Sequence, residues 1–165
     1  MMTPDQVQRV QDSFVQVLPI REQVAVLFHE RLLALAPSTR PLFAGSDLRA
    51  QGAELMMALG FVVDALRRPE AVLAAAADLG RRHTVHGVQD AHCASVGDAS
   101  LWTLGQGLGT AFTPELRDAW AAAYGLLART MTEAARDAAP ALRRELAHAP
   151  DLAALDAGRL EECSP

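Results

Sequence analysis

Apolar residues recur at helical spacing along almost the whole chain, and the breaks in that rhythm fall at prolines and glycines. Val7, Val10, Phe14, Val17 and Leu18 form one stripe behind Thr3-Pro4, a capping residue followed by a first-turn proline, which predicts a first helix. Pro19 interrupts it. A second helix from about Ile20 to Ala36 carries Val24, Leu27, Phe28, Leu32 and Leu35 on its apolar side. Pro37 to Phe43 reads as a short helical turn, and Ala44-Gly45-Ser46 as a loop ending near a Ser or Asp cap. A long helix follows from about Asp47 to Leu66, burying Leu48, Leu55, Leu59, Val62 and Val63. Arg67-Arg68-Pro69 reads as a loop before the small-residue segment Ala71 to Ala77, which leads into Leu79 and His83. Gly87 can stop that helix in a left-handed conformation, with Val88 as the apolar residue that often follows such a stop. The next helix, about Ala91 to Leu108, turns Val96, Leu101, Leu104 and Leu108 inward. Thr113-Pro114-Glu115 opens a last one with Leu116, Trp120, Tyr124, Leu127 and Met131 on its stripe through about Ala139. Pro140 is expected to end it, with a short helix from Ala141 to His148 before an acidic tail. The expected fold class is all-α.

Composition narrows the function classes. A length of 165 residues suits one domain that buries roughly two thirds of its extended surface. No apolar run approaches the ~20 residues that cross a bilayer, and Asp64 interrupts the longest candidate. The first residues lack an export signal, so a cytoplasmic location is expected. Cys93 and Cys163 form no CxxC pair and suggest neither zinc nor a disulfide. The net charge of -5 argues against nucleic acid as a partner and supports no membrane-surface role. Phosphate loops, serine-nucleophile motifs and internal repeats are absent from the sequence, so the chemistry must come from a cofactor. Glu145 and His148 have a spacing used in di-iron bundles, but the second pair and the further glutamates those sites need are not evident.

Three polar residues stand on or beside apolar helical faces. Leu79 precedes His83 by one helical turn and gives the imidazole an apolar floor. That pattern suits a metal ligand, but equally a satisfied core histidine. Gln51, one turn before Leu55, faces the core side, where its amide needs a hydrogen-bonding partner unless it sits at the amphipathic edge. His29 adjoins the stripe of the second helix and reads equally well as an edge residue.

Several stretches together choose among these readings. Leu27-Phe28-His29-Glu30-Arg31-Leu32-Leu33, Pro41-Leu42-Phe43, Gln51 to Met57, Leu79 to Val88, Ala111-Phe112-Thr113-Pro114, Ala119-Trp120 and Tyr124-Gly125 occur in order. In this the chain resembles the globins, and more narrowly bacterial single-domain haemoglobins and neuroglobin, over about residues 3 to 139. The resemblance implies a three-over-three helical sandwich around a haem b, with a globin domain at 1–139 and a C-terminal extension at 140–165. It makes His83 the proximal iron ligand and Phe43 the ring packed flat on the haem. Leu79 and Val88 become pocket residues, and Arg82 a candidate partner for a propionate. Gln51 takes the distal position, with Leu55 one turn further over the iron. His29 stands where the nearest bacterial relatives place a tyrosine, and is expected to donate a hydrogen bond to bound gas.

The function so implied is reversible binding of O2, NO and CO. Nitric oxide dioxygenase activity would need re-reduction by a separate reductase, since this length leaves no room for a flavin reductase. A gas sensor or partner-regulating module is the alternative. Two departures from the flavohaemoglobin pattern weaken the proximal side: Cys93 replaces a tyrosine, and Ala135 stands where a glutamate is expected, with Glu133 two residues away.

Overall fold

The computed structural model describes the backbone of residues 2–45, 47–85 and 90–148, and side chains over the same range except at 69, 81–85, 90–91 and 138–148. Within it are six α-helices and no strand: α1 (Pro4–Val17), α2 (Arg21–Leu35), α3 (Leu48–Ala65), α4 (Pro69–Val85), α5 (Asp90–Leu108) and α6 (Pro114–His148). Short 3-10 turns at Leu18–Ile20, Pro37–Phe43 and Gly109–Ala111 join three of the pairs.

The helix ends follow from local chemistry. Thr3 and Gln6 exchange hydrogen bonds, each side chain accepting from the other's backbone N–H at 3.2 and 3.0 Å, which satisfies two donors that α1 leaves over. Asp47 accepts from the Arg49 N–H at 2.8 Å to start α3, and Thr113 from the Leu116 N–H at 3.3 Å to start α6. Thr39, buried in the proline-bracketed turn, donates to the Ala36 carbonyl at 2.7 Å.

Two helix limits differ from the sequence reading. α4 begins at Pro69 itself, because a first-turn proline lacks only an N–H that would have had no intrahelical partner. α6 runs through Pro140 to His148 instead of ending there. Proline removes one hydrogen bond and crowds the carbonyl of Arg136, without here ending the run of helical residues. Leu18, Leu35 and Leu48 are exposed although they continue the apolar stripes, and each stands at a helix end.

Packing sets α1, α3 and α4 against α2, α5 and α6, three helices over three. α2 lies on both α3 and α5, α1 on α3 and α6, and α4 makes its broadest contact with α6. The principal core joins Val10, Phe14 and Val17 of α1 to Leu116, Ala119 and Trp120 of α6 and Met56 and Val63 of α3. Trp120 is fixed by a bond from its indole N–H to the buried Ser13 hydroxyl at 2.9 Å, and Ser13 donates in turn to Val10. A second, smaller cluster of Phe28, Leu32, Ala36 and Ala99 takes in Phe43, Leu55 and Val96. This cluster fixes the wall of the candidate site.

Candidate functional site

The wall begins at the crossing of α2 and α3. A Cβ on Gly52 would stand 2.8 Å from the Ala25 Cβ, closer than two carbon atoms tolerate, so only glycine lets the helices approach this nearly. Beyond the crossing, Leu55 of α3 packs on the cluster that holds Phe28 of α2, and Gln51 lies one helical turn before Leu55. Leu55 and Phe28 line an apolar cleft, about 720 Å³ with its open mouth included, which continues past Leu59 and Val62 to Leu104 and Leu127. Phe43 reaches the same cluster from the proline-bracketed turn.

His29 is 5% exposed and contacts two aromatic rings. The rings of Phe28 and Phe43 meet it edge-on, with centroids at 5.3 and 5.4 Å and planes at 81° and 89°. Its Nδ1 lies 2.8 Å from the Ala25 carbonyl oxygen one turn back. A carbonyl only accepts, so Nδ1 is the donor in this bond. The expected donation from His29 to a bound gas therefore meets a competitor: in the neutral ring the one N–H is engaged within α2.

Gln51 is half-buried, and its side chain makes no hydrogen bond to another described residue. It thus stands at the helix edge with its amide free to donate, instead of being satisfied in the core. Leu79 is half-buried on α4, one turn ahead of His83. Beside it, Gly80 presses directly on the backbone of α6: an added Cβ would fall 2.8 Å from the Met131 Cα and 2.9 Å from its carbonyl carbon. That contact seats α4 on α6 three residues before His83. The backbone of Arg82 and His83 belongs to α4, whereas their side chains, and Val88 and His86 entirely, lie outside the described residues.

Sequence reasoning passed over three polar positions here. His92, buried at the start of α5, has Nε2 3.3 Å from the Ser38 hydroxyl and so ties α5 to the turn that carries Phe43. Thr103 lines the cleft at 2% exposure with its hydroxyl unpartnered, and its place between Leu101 and Leu104 on an apolar stripe was the available signal. Tyr124, read as a core residue, donates its hydroxyl to the Cys93 carbonyl and lines the cleft as well. Burial, followed by the nearby Cys93 and Asp98, raises its pKa well above the ordinary value near 10. A raised phenol pKa contributes stability that is complete below the unfolded value and is lost as pH rises toward the folded one. Tyr124 is the chain's only tyrosine, so ultraviolet titration reads it alone. Phenolate absorbance is expected only where circular dichroism shows the helices melting. Ionisation near pH 10 in the folded chain would contradict its burial.

Of the residues where the resemblance expects a proximal tyrosine and glutamate, Cys93 accepts the Tyr124 hydroxyl through its carbonyl and Ala135 is half-buried, while Glu133 is exposed on α6. Glu133 therefore does not stand in for the missing carboxylate. The aromatic and aliphatic lining suits an apolar macrocycle, and His83, which would supply the axial nitrogen, lies on α4 with its side chain outside the described residues.

Comparison with known proteins identifies the family. Flavohemoproteins of Bordetella pertussis and Bordetella bronchiseptica are each 35% identical to the chain over 103 residues, which cover 61% of this chain and 26% of theirs. The chain therefore matches only about a quarter of the length of these relatives. The family model described as Globin matches residues 26–131, from the middle of α2 to the part of α6 that faces Gly80. With six helices packed three over three and that match across most of its length, the chain belongs to the globin family.

Proposed function

We propose that this globin holds one haem b and reversibly binds diatomic gases, chiefly O2, NO and CO. The observation that carries the reading is the wall itself: a buried imidazole in ring contact with Phe28 and Phe43, which share an apolar cluster with Leu55, where Phe28 and Leu55 also line an apolar cleft. In the proposal His83 of α4 holds the iron, Phe43, Leu55, Leu79 and Val88 pack the macrocycle, and Arg82 pairs with a propionate. The haem supplies an iron that binds small gases and, given electrons, can oxidise nitric oxide to nitrate.

The remaining work belongs to the chain's own side chains. Leu55, Phe28 and Phe43 exclude water from the gas. Gln51, whose amide has no described partner, donates a hydrogen bond to it, a contribution of about 1 kcal/mol. His29 sets the polarity of the far wall. Nitric oxide oxidation, if the family's chemistry extends to this chain, draws its electrons from a separate reductase. The relatives' name, flavohemoprotein, which joins a flavin to a haem, supports a flavin-bearing source for those electrons. Cys93 and Ala135 stand where the resemblance expects a tyrosine and a glutamate, and neither side chain can supply the carboxylate network that raises the basicity of an axial imidazole, which argues against strong peroxidase-like chemistry.

The test is gas titration of the haem-loaded, reduced chain by difference spectroscopy. Saturable changes with CO and with O2, reversed on purging O2, are expected, and no change with either gas would overturn the reading. Steady-state nitric oxide consumption should then rise as a reductase is titrated in. A rate independent of reductant would remove the electron-limited part of the proposal.

A further inference from the structure

The bond between His29 and Ala25 settles more than the ring's position. With Nδ1 donating to the Ala25 carbonyl at 2.8 Å, a neutral imidazole has no hydrogen on Nε2, which becomes a bare acceptor. Nε2 makes no hydrogen bond to any described residue. Turning the ring over would break the bond to Ala25, and Phe28 and Phe43, nearly perpendicular to the imidazole at 5.3 and 5.4 Å, pack against it. At 5% exposure the ring has little bulk water with which to exchange hydrogen bonds.

We infer that His29 serves the pocket as a hydrogen-bond acceptor through Nε2, and that the site thereby favours small ligands carrying their own hydrogen, of the class H–X, over aprotic diatomics. The inference rests on the haem and gas reading proposed above. Gln51 and His29 then divide the wall: the half-buried amide offers N–H groups, and the buried imidazole offers a lone pair. A ligand such as hydrogen sulfide donates its S–H to Nε2. Carbon monoxide has no hydrogen to give and leaves that lone pair unmatched in an apolar surround, where an unpaired polar atom is costly. The two probes should therefore respond differently to changes at His29.

The experiment uses the haem-loaded chain. Carbon monoxide binding to the reduced protein is recorded first, since its absence would overturn the underlying reading and this inference with it. In the carbon monoxide form, which is diamagnetic, long-range nitrogen–proton correlation spectra should show His29 with a protonated Nδ1 and a bare Nε2. Affinities for sulfide, on the oxidised protein, and for carbon monoxide, on the reduced protein, are then compared in the parent, His29→Leu and His29→Gln. The ratio of sulfide to carbon monoxide affinity should fall about ten-fold in His29→Leu, the loss expected for one hydrogen bond in a buried site. It should recover most of that loss in His29→Gln, whose amide oxygen can accept. A hydrogen on Nε2, or a ratio that His29→Leu leaves unchanged, would overturn the inference while leaving the gas-binding reading intact.

Discussion

His83→Ala should abolish stable haem retention, while His86→Ala should keep it. Both residues follow the same apolar turn, but Leu79 is one helical turn before His83 on one face of α4, which is helical through Val85. Gly80 fixes which way that helix turns, because its bare Cα is pressed on Met131 of α6. In the proposed site, removing the axial nitrogen leaves the apolar contacts and the Arg82 pairing to hold the macrocycle. Loss of a metal's supporting hydrogen bond alone weakens binding by about 10- to 100-fold, and loss of the ligand itself should exceed that. Haem remaining after gel filtration, measured as the pyridine haemochrome, should be near background for His83→Ala. Added imidazole should restore part of it. Full retention in His83→Ala together with loss in His86→Ala would reverse the assignment.

Two helical glycines should respond to alanine in opposite directions. In a helix interior, Gly→Ala gains about 0.5–1 kcal/mol from reduced backbone entropy in the unfolded chain. At Gly125 of α6 the nearest obstacle is the end of the flexible Arg129 side chain at 3.3 Å, which can swing aside, so Gly125→Ala should stabilise by about that amount. At Gly80 the new methyl meets the Met131 backbone, which cannot rotate away, and α4 must lift from its broadest contact. Overpacking of this kind costs about 1–3 kcal/mol or more, which outweighs the propensity gain. Gly80→Ala should therefore destabilise, and with α4 displaced it should also weaken haem binding. Chemical denaturation of both variants, with and without haem, measures this. A stabilising Gly80→Ala would mean that α4 does not lie on α6 as described.

The fold was largely legible because helical periodicity and capping chemistry are local. Thr3, Asp47 and Thr113 cap where their sequences predict, and the stripes of α1 and α6 meet at Trp120 and Ser13. The limits at Pro69 and Pro140 were misread because a proline's effect depends on whether its missing N–H is needed, and periodicity does not report that. At the candidate site, Phe43 and Leu55 pack on one apolar cluster, and Phe43 meets the His29 ring. What no residue pattern reveals is the ring orientation that gives His29 its hydrogen bond to Ala25, or the partner backbone that makes Gly80 indispensable. Both are set by contacts between elements distant in the sequence or by a side-chain rotamer. Thr103 and His92 escaped for a similar reason, since a polar residue among apolar ones looks like an edge until its surroundings are known.

The central claim, that one haem is held in this pocket through a single histidine, is tested most directly by titrating haem into the purified chain and following the Soret absorbance. The account predicts a sharp endpoint at one haem per chain and, after reduction, the spectrum of a five-coordinate ferrous iron with one axial nitrogen. A titration without an endpoint, or a spectrum that stays that of free haem, would contradict it.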